Sequence, residues 1–264
     1  PWREILIAEL ADIGFDSFED LPNGFKAYAF AGAFTIEAIS QVFTRFKESG
    51  KVRITFDHKV IKSSNWNQVW ESNFDPVVLA NKCYVRAPFH PPSENFEMEI
   101  IIEPKMSFGT GHHETTALMA EWLFETELLN KSALDMGCGT GLLAMIAARR
   151  GAKPVFAVDN FIFAYENTIE NVERNNLSQI KVINGDACSL GKELFDVIIV
   201  NITKNVLLKD MERYVAVLKT SGIIFLSGFL KKDRKELINC AEKFGLSFAG
   251  EKNKNGWLAL KFVR

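Results

Sequence analysis

The sequence lacks the two patterns that would direct a chain into or across a membrane. No stretch approaches the ~18 consecutive apolar residues of a membrane-spanning helix, and the first residues, Pro1 to Glu4, do not resemble a secretory signal. The chain also has only four cysteines, none of them in a C-x-x-C pair: Cys83, Cys138, Cys188 and Cys240. Such wide spacing favours reduced thiols over a zinc site or a disulfide framework. We therefore expect a soluble cytoplasmic protein that has no membrane partner.

The sequence has no excess of charge of either sign. Lys and Arg total 31 and Asp and Glu total 33, which gives a formal net charge of −2 at pH 7. A charge this small creates no long-range attraction to nucleic acid, so direct nucleic-acid binding is not expected. The chain does not begin with methionine, and a helical pattern starts almost at once. We therefore expect that the natural protein begins earlier, with a further strand.

The first 60 residues predict a small α+β domain. Residues 5–10 and the amphipathic segment from Thr35 to Ser49 have helical patterns, whereas Phe25 to Phe30 and Val52 to Phe56 alternate like strands. Residues 61–96 then predict a connecting helix and linker. Its evidence is an apolar stripe of Trp66, Trp70 and Phe74, which recur every four residues before Pro76.

Residues 97–264 predict an α/β domain with an open, mostly parallel sheet. Five short apolar strands alternate with helical segments, and they begin near Leu134, Val155, Ile180, Phe195 and Ile223. A helix over about 231–244 follows the fifth strand. Two late strands, 246–250 and 257–263, flank the turn from Asn253 to Gly256 and predict an antiparallel hairpin at the sheet edge.

A glycine-rich turn, Asp135 to Gly141, lies between the first of these strands and the apolar helix that starts at Leu142. Gly137 and Gly139 would allow a ligand to approach bare backbone, as at nucleoside cofactor sites. Asp159 follows the second strand, 20 residues after Gly139, where it could hold ribose hydroxyls. The frame from Gly139 to Ala144 also matches G-x-G-x-x-A, so the spacing alone leaves NAD and S-adenosylmethionine open.

Charge favours S-adenosylmethionine, because the Asp135 carboxylate would repel a pyrophosphate and attract an ammonium or a sulfonium. Asp186, after the third strand, could accept a hydrogen bond from an adenine amino group. Asn201 ends the fourth strand, at the sheet edge where ligands bind in such folds. It could hold an amine acceptor through its carbonyl, or it could only cap the next helix.

The segment from Phe108 to Thr116 places two glycines and three threonines at the start of a predicted helix. Free backbone N–H groups and hydroxyls there could bind the methionine carboxylate of the donor. His112, His113 and Glu114 lack the H-E-x-x-H spacing, and neighbouring histidines point apart on a helix. No metal site is therefore expected.

Together these motifs resemble those of the bacterial methyltransferases that modify ribosomal protein L11, at the stalk base of the large subunit. The resemblance is carried by the connecting helix, by Glu103 to Gly111, Thr115 and Thr116, Asp135 to Gly141, Ala157 to Asp159, and Asn201 with Ile202. It implies a seven-stranded Rossmann-like sheet and methylation of lysine side-chain and amino-terminal amines, with S-adenosylhomocysteine as product.

By position, the resemblance also implies the site residues. Thr116, Gly137, Asp159 and Asn201 would contact S-adenosylmethionine, and Phe108, Gly109 and Thr110 would line the same cleft. The amino-terminal domain would recognise the protein substrate and swing on the connecting helix. This chain departs from the family's common G-T-G-T-H-P-T-T at His112 and Glu114, which bears on how the target amine is seated.

Methyl transfer needs alignment and exclusion of water rather than a nucleophilic side chain. Asn201 is therefore predicted to orient a neutral amine, and no general base is assigned. Three alternatives stay open at this point. They are a methyltransferase acting on another protein or a small molecule, an NAD-dependent dehydrogenase, and a binding module without activity.

Overall fold

The computed structural model describes residues 2–21, 24–29, 35–48, 54–59, 75–105 and 108–264. The chain forms two compact units, Pro1–Trp66 and Asn67–Arg264. The predicted connecting helix around Trp66, Trp70 and Phe74 lies outside the described residues. No helix in the described ranges is long and apolar enough to cross a membrane.

The first unit is a small α+β structure. It contains α1 (Trp2–Asp12), the antiparallel strands β1 (Ser17–Leu21) and β2 (Gly24–Tyr28), and α2 (Ile36–Glu48). The two helices and β2 match the sequence pattern, but β1 was not predicted. Its acidic Glu19 lies across from Lys26, and their ion pair of 3.1 Å offsets an unfavourable strand composition.

One prediction for this unit was wrong in its described part. Residues 54–59 belong to no helix or strand, although Val52 to Phe56 alternates like a strand. Ile54 instead packs against the small core formed by Leu6, Leu10, Val42 and Phe46. Phe56 is 44% exposed and stacks on Phe43, so these two apolar contacts occur here without strand pairing.

The second unit has a seven-stranded sheet, as predicted, in the order β11-β12-β10-β9-β6-β7-β8. Strands β6 to β10 are parallel, and β12 and β11 pair antiparallel at one edge. The strands are β6 (Ala133–Met136), β7 (Val155–Asp159), β8 (Ile180–Asn184), β9 (Phe195–Asn201), β10 (Leu218–Leu230), β11 (Ser247–Lys254) and β12 (Trp257–Val263). The helices are α3 (Glu114–Glu125), α4 (Leu142–Arg149), α5 (Ile162–Arg174), α6 (Lys204–Ala216) and α7 (Arg234–Lys243).

A second sheet, of three strands, lies earlier in the sequence than the seven-stranded sheet and was not predicted. Its strands are β3 (Val77–Leu79), β4 (Cys83–Arg86) and β5 (Met98–Ile101), with β4 in the centre. All four residues of β4 are buried, and Arg86 pairs with Glu99 at 2.9 Å. Strands this short carry little periodic signal, so the sequence pattern had assigned residues 77–86 to a linker.

Helix α5 buries a polar stripe that joins two separate backbone segments. The Asn171 side chain accepts a hydrogen bond from Glu103 N at 2.8 Å and donates one to Thr140 O at 3.0 Å. Thr168 Oγ1 donates to Gly139 O at 2.8 Å. The Asn175 side chain accepts a hydrogen bond from Ile101 N and donates one to Ile101 O. The stripe therefore fixes the glycine-rich turn against the chain that leaves β5.

Replacing Asn171 by Ala is expected to lower the free energy of unfolding by about 2–4 kcal/mol, because two backbone groups lose their partners. Urea unfolding followed by circular dichroism measures the change. Asn205→Ala is the matched control, since Asn205 is exposed on α6, and it should shift stability by less than about 0.5 kcal/mol. Equal losses in the two variants would contradict the proposed role of the stripe.

Candidate functional site

The site lies at the carboxyl ends of the three central strands β6, β7 and β9. Met136 of β6 pairs with Val158 of β7 and Val200 of β9, so the next residues along each strand, Gly137, Asp159 and Asn201, end at the same level. Parallel strands present their carboxyl ends at one edge of the sheet, where ligands bind in open α/β folds.

The glycine-rich turn is packed tightly against the upstream segment. A Cβ atom on Gly139 would lie 2.2 Å from Phe108 O, and Gly139 has a φ of +58°. Thr140 N donates to Phe108 O at 2.9 Å, and Thr140 Oγ1 donates to Gly109 O at 2.7 Å. Only glycine fits at position 139, and Phe108 and Gly109 are thereby held beside the turn.

Asp159 is fixed by two backbone donors. Its Oδ2 accepts from Gly139 N and its Oδ1 accepts from Phe161 N, each at 2.9 Å. A carboxylate oxygen has a second lone pair, so Asp159 can still accept hydroxyl groups. The adjacent apolar side chains of Phe161, Ile162 and Phe163 are exposed by 51%, 45% and 61%.

Asp135 is almost fully buried beneath the turn, with 1% of its surface exposed. Burial is the main cause that raises the pKa of its carboxyl to about 7; a hydrogen bond from Ala144 N, 2.9 Å from Oδ2, opposes this, and the charge of Asp159 adds to it. A buried carboxyl with one such partner would ionise more readily beside a cation.

Asn201 carries a buried oxygen with no partner among the residues that the structure describes. Its Nδ2 lies 3.5 Å from Thr116 Oγ1, a long hydrogen bond, and Thr116 itself is fully buried on α3. The alternative that Asn201 only caps the next helix was wrong, because the residue at the N-cap of α6 is Thr203. Asn201 Oδ1 is therefore available to an N–H donor.

These side chains meet at a narrow cavity. Six of the residues predicted from the sequence line it: Phe108, Gly109, Thr116, Asp135, Gly137 and Asn201. Leu142 and Leu143 of α4 add apolar wall, a contribution that the sequence pattern did not predict. The cavity therefore combines a buried carboxyl, an amide oxygen and apolar surface.

Asp186 and Thr110 do not line this cavity. Asp186 is exposed after β8, where its Oδ1 accepts from Cys188 N at 2.8 Å and caps a short 3-10 helix, Ala187–Ser189. This backbone bond is the main cause that lowers the pKa of the Asp186 carboxyl. A contact between Asp186 and adenine stays a prediction.

A second hollow, which we call the outer groove, lies beside the cavity. It has a volume of about 310 Å³ and is lined by Phe108, Gly109, Thr110, His112, His113 and Glu114. His113 Nδ1 accepts from Thr115 N at 3.2 Å and so caps α3. Thr115 N is therefore engaged within the protein, and binding of a ligand carboxylate by the other N–H groups and hydroxyls of this segment stays a prediction.

The two histidines of this segment serve other contacts. His112 Nε2 lies 2.8 Å from Asp75 O, and the His113 ring packs edge-on against Phe108 and Trp257. Across the described ranges, no three His, Cys, Asp or Glu side chains are grouped so that they could hold a metal ion.

Residues 22–264 match the family model described as ribosomal protein L11 methyltransferase (PrmA). The chain is 41% identical over 263 residues to the ribosomal protein L11 methyltransferase of Bacteroides fragilis, covering 99% of this chain and 94% of the relative. It is 31% identical over 265 residues to that of Chlorobaculum parvum, covering 97% and 90%.

Solved structures agree on the fold. A crystal structure of ribosomal protein L11 methylase from Lactobacillus delbrueckii subsp. bulgaricus has a TM-score of 0.67 at 21% identity, covering 72% of this chain and 99% of that chain. The 16S rRNA N2 G1207 methyltransferase of T. thermophilus, solved with AdoMet and guanosine, has a TM-score of 0.51 at 22% identity, covering 60% of this chain and 45% of that chain. With a family model that matches nearly the whole sequence and relatives above 40% identity, this chain belongs to the ribosomal protein L11 methyltransferase family.

Proposed function

We propose that this protein transfers methyl groups from S-adenosylmethionine to amines of ribosomal protein L11, namely lysine side chains and the amino-terminal amine. The observation that carries the proposal is the unpartnered, buried Asn201 Oδ1 in the same cavity as Asp135. An amide oxygen that lacks a donor matches an amine, and a buried carboxyl matches a cation. The names of the relatives supply the protein substrate.

The residues of the cavity fit the methyl donor. Asp135 would lie beside its positive charges, and Gly137 would leave room at the backbone. Asp159 does not line the cavity, but it ends the neighbouring strand β7 and would accept the ribose hydroxyls there. The exposed rings of Phe161 and Phe163 offer apolar surface next to that ribose site. When bound, the donor supplies a methyl group that its sulfonium has already activated.

The acceptor amine must be neutral when it reacts. A lysine with a pKa of ~10.4 is neutral in only a small fraction of molecules at pH 7, which costs roughly 4–5 kcal/mol. Asn201 Oδ1 would accept an N–H of the neutral amine and aim its lone pair, and it cannot take the proton itself. The apolar walls of Phe108, Leu142 and Leu143 would lower the amine pKa by excluding water.

Recognition of the protein substrate is assigned to the amino-terminal α+β domain, residues 1–60, with residues 61–96 as connection and 97–264 as the catalytic domain. This assignment follows from the resemblance described above. A ribosomal protein as substrate also favours a cytoplasmic location. The same catalytic site could serve a different protein or a small amine, and the transfer experiment distinguishes these acceptors.

That experiment incubates the chain with methyl-labelled S-adenosylmethionine, purified L11 and, separately, a mixture of other ribosomal proteins. We expect label on lysine and amino-terminal nitrogens of L11, located by mass spectrometry. L11 whose amines have been acetylated is the matched control, because acetylation removes the nucleophile. Label on other proteins but not on L11 would show that L11 is not the substrate. Binding of NAD instead of S-adenosylmethionine would show that the reaction is not methyl transfer.

Asp159→Ala is expected to weaken donor binding by about 10- to 100-fold, because it removes the ribose acceptors. Isothermal titration calorimetry measures this change. Glu173→Gln is the control, since Glu173 is exposed near the end of α5, and it should leave donor affinity unchanged. Unchanged affinity in Asp159→Ala would remove Asp159 from the donor site.

Asn201→Ala is expected to slow transfer about 100-fold, through a misplaced amine, while donor affinity changes little. Single-turnover rates and calorimetry separate the two effects. Asn205→Ala is the control, because it removes an exposed amide on the next helix that does not line the cavity. Equal losses of rate and donor affinity in Asn201→Ala would make Asn201 a donor ligand only.

Asp135→Asn is expected to have a higher free energy of unfolding than the wild type in the donor-free protein, and this difference should grow as the pH rises. The pKa of Asp135 is raised in the fold, so its contribution to stability is complete below pH ~4 and is lost as the pH passes through about 7. The loss amounts to at most about 4 kcal/mol, and asparagine does not titrate. Urea unfolding at pH 5 and pH 8 measures the difference.

The same variant should bind the donor more weakly, because the cationic groups lose their counter-charge. Glu173→Gln, an exposed change on α5, is the control for both measurements. A stability difference between Asp135→Asn and the wild type that does not change with pH would contradict the burial of an ionisable carboxyl.

A further inference from the structure

The outer groove continues the cavity toward the surface. Both are lined by Phe108 and Gly109, so a chain that reaches Asn201 through the outer groove would pass these two residues. Phe108 is a large apolar side chain that is nonetheless 56% exposed. Its ring lies edge-on to that of His113, with 5.3 Å between the ring centroids. The groove therefore has an aromatic wall that suits the methylene chain of a lysine.

Glu114 is the acidic residue among those that line this groove. Its Oε1 accepts a hydrogen bond from Asn255 Nδ2 at 3.0 Å, and this bond is the main cause that lowers the pKa of its carboxyl. Glu114 is therefore negatively charged at neutral pH. The nearby Lys254 also lowers this pKa.

The turn between β11 and β12 holds this side of the groove in place. Asn255 in the turn binds Glu114, and Trp257 at the start of β12 packs edge-on against His113 at 4.6 Å. Asn255 has a backbone φ of +50° in this turn, and its side-chain amide is held by the hydrogen bond to Glu114. The charge on Glu114 is thus oriented by a partner outside its own helix.

We propose that Glu114 is a specificity residue for the acceptor: its carboxylate binds the ammonium group of an incoming lysine, or of a basic neighbour, in the outer groove. The inference rests on the proposed function. A carboxylate favours the charged amine, so Glu114 would act in capture, before the amine loses its proton and reaches Asn201. It would therefore change KM for the protein substrate and not the transfer rate.

A purely structural role makes a different prediction. Glu114 is the first residue of α3, where a negative charge stabilises the positive end of the helix dipole. Loss of that role would lower the melting temperature without changing KM. Both quantities must therefore be measured for the same variants.

Glu114→Gln tests the proposal, because glutamine keeps an oxygen that can accept from Asn255 and loses the charge. With full-length protein and L11, we expect KM to rise about 3- to 10-fold at low salt while kcat and donor affinity stay the same. The fall of kcat/KM with added salt should also become shallower, because one charge pair is lost.

Two further variants are compared with it. Glu173→Gln removes an exposed charge at the carboxyl end of α5, the end that faces away from the site edge of the sheet, and should leave KM unchanged. Asn255→Gly removes the amide, tolerates the positive φ and keeps the charge of Glu114, so it should raise KM less than Glu114→Gln does.

An unchanged KM and salt dependence in Glu114→Gln would overturn the proposal, and a lower melting temperature alone would assign Glu114 to the helix end. If Asn255→Gly raises KM as much as Glu114→Gln does, the effect belongs to the turn and not to the charge of Glu114. That result would also overturn the proposal. Absence of methyl transfer to L11 by the wild type is a separate outcome, which rejects the proposed function and with it the acceptor that Glu114 would bind.

Discussion

The buried amide of Asn171 joins the two backbone segments that form the site. It accepts from Glu103 N on the chain leaving β5 and donates to Thr140 O in the glycine-rich turn. Thr140 in turn binds the backbone of Phe108 and Gly109. Thr168 and Asn175 of the same stripe add bonds to the turn and to Ile101 on β5, and Asn171 contacts both segments at once. The geometry of the cavity therefore depends on a few polar bonds that are shielded from water.

The chemistry of the cavity depends on groups that the free protein leaves incompletely satisfied. Asp135 is buried with its pKa raised, and Asn201 Oδ1 has no donor among the described residues. Each of these features costs stability in the absence of a ligand. Both costs are offset when a cation lies beside the carboxyl and an N–H donor reaches the amide. The same groups that weaken the fold thus define what the site can bind.

Local sequence patterns predicted the parts of the site that depend on local chemistry. The glycine-rich turn could be identified because positive φ angles and close backbone contacts require glycine, and Gly139 has both. Asp159 and Asn201 could be identified because each is a polar residue at the end of an apolar strand. The buried stripe of Thr168, Asn171 and Asn175 could not, since a polar residue on a helix is normally exposed. Only partners distant in sequence make its burial favourable.

The sequence by itself determined the mostly parallel sheet from Ala133 onward and the antiparallel hairpin, because periodicity and turn chemistry are properties of adjacent residues. Several residues of the cavity lining, such as Thr116 and Phe108, were implied by the family resemblance instead. The tertiary structure alone decided that His113 caps α3, that Thr203 rather than Asn201 begins α6, and that Asn255 binds Glu114. Each of these depends on which of several capable donors or acceptors lies nearest. Distance between residues that are far apart in the chain, or between competing neighbours, is fixed only when the whole chain has packed.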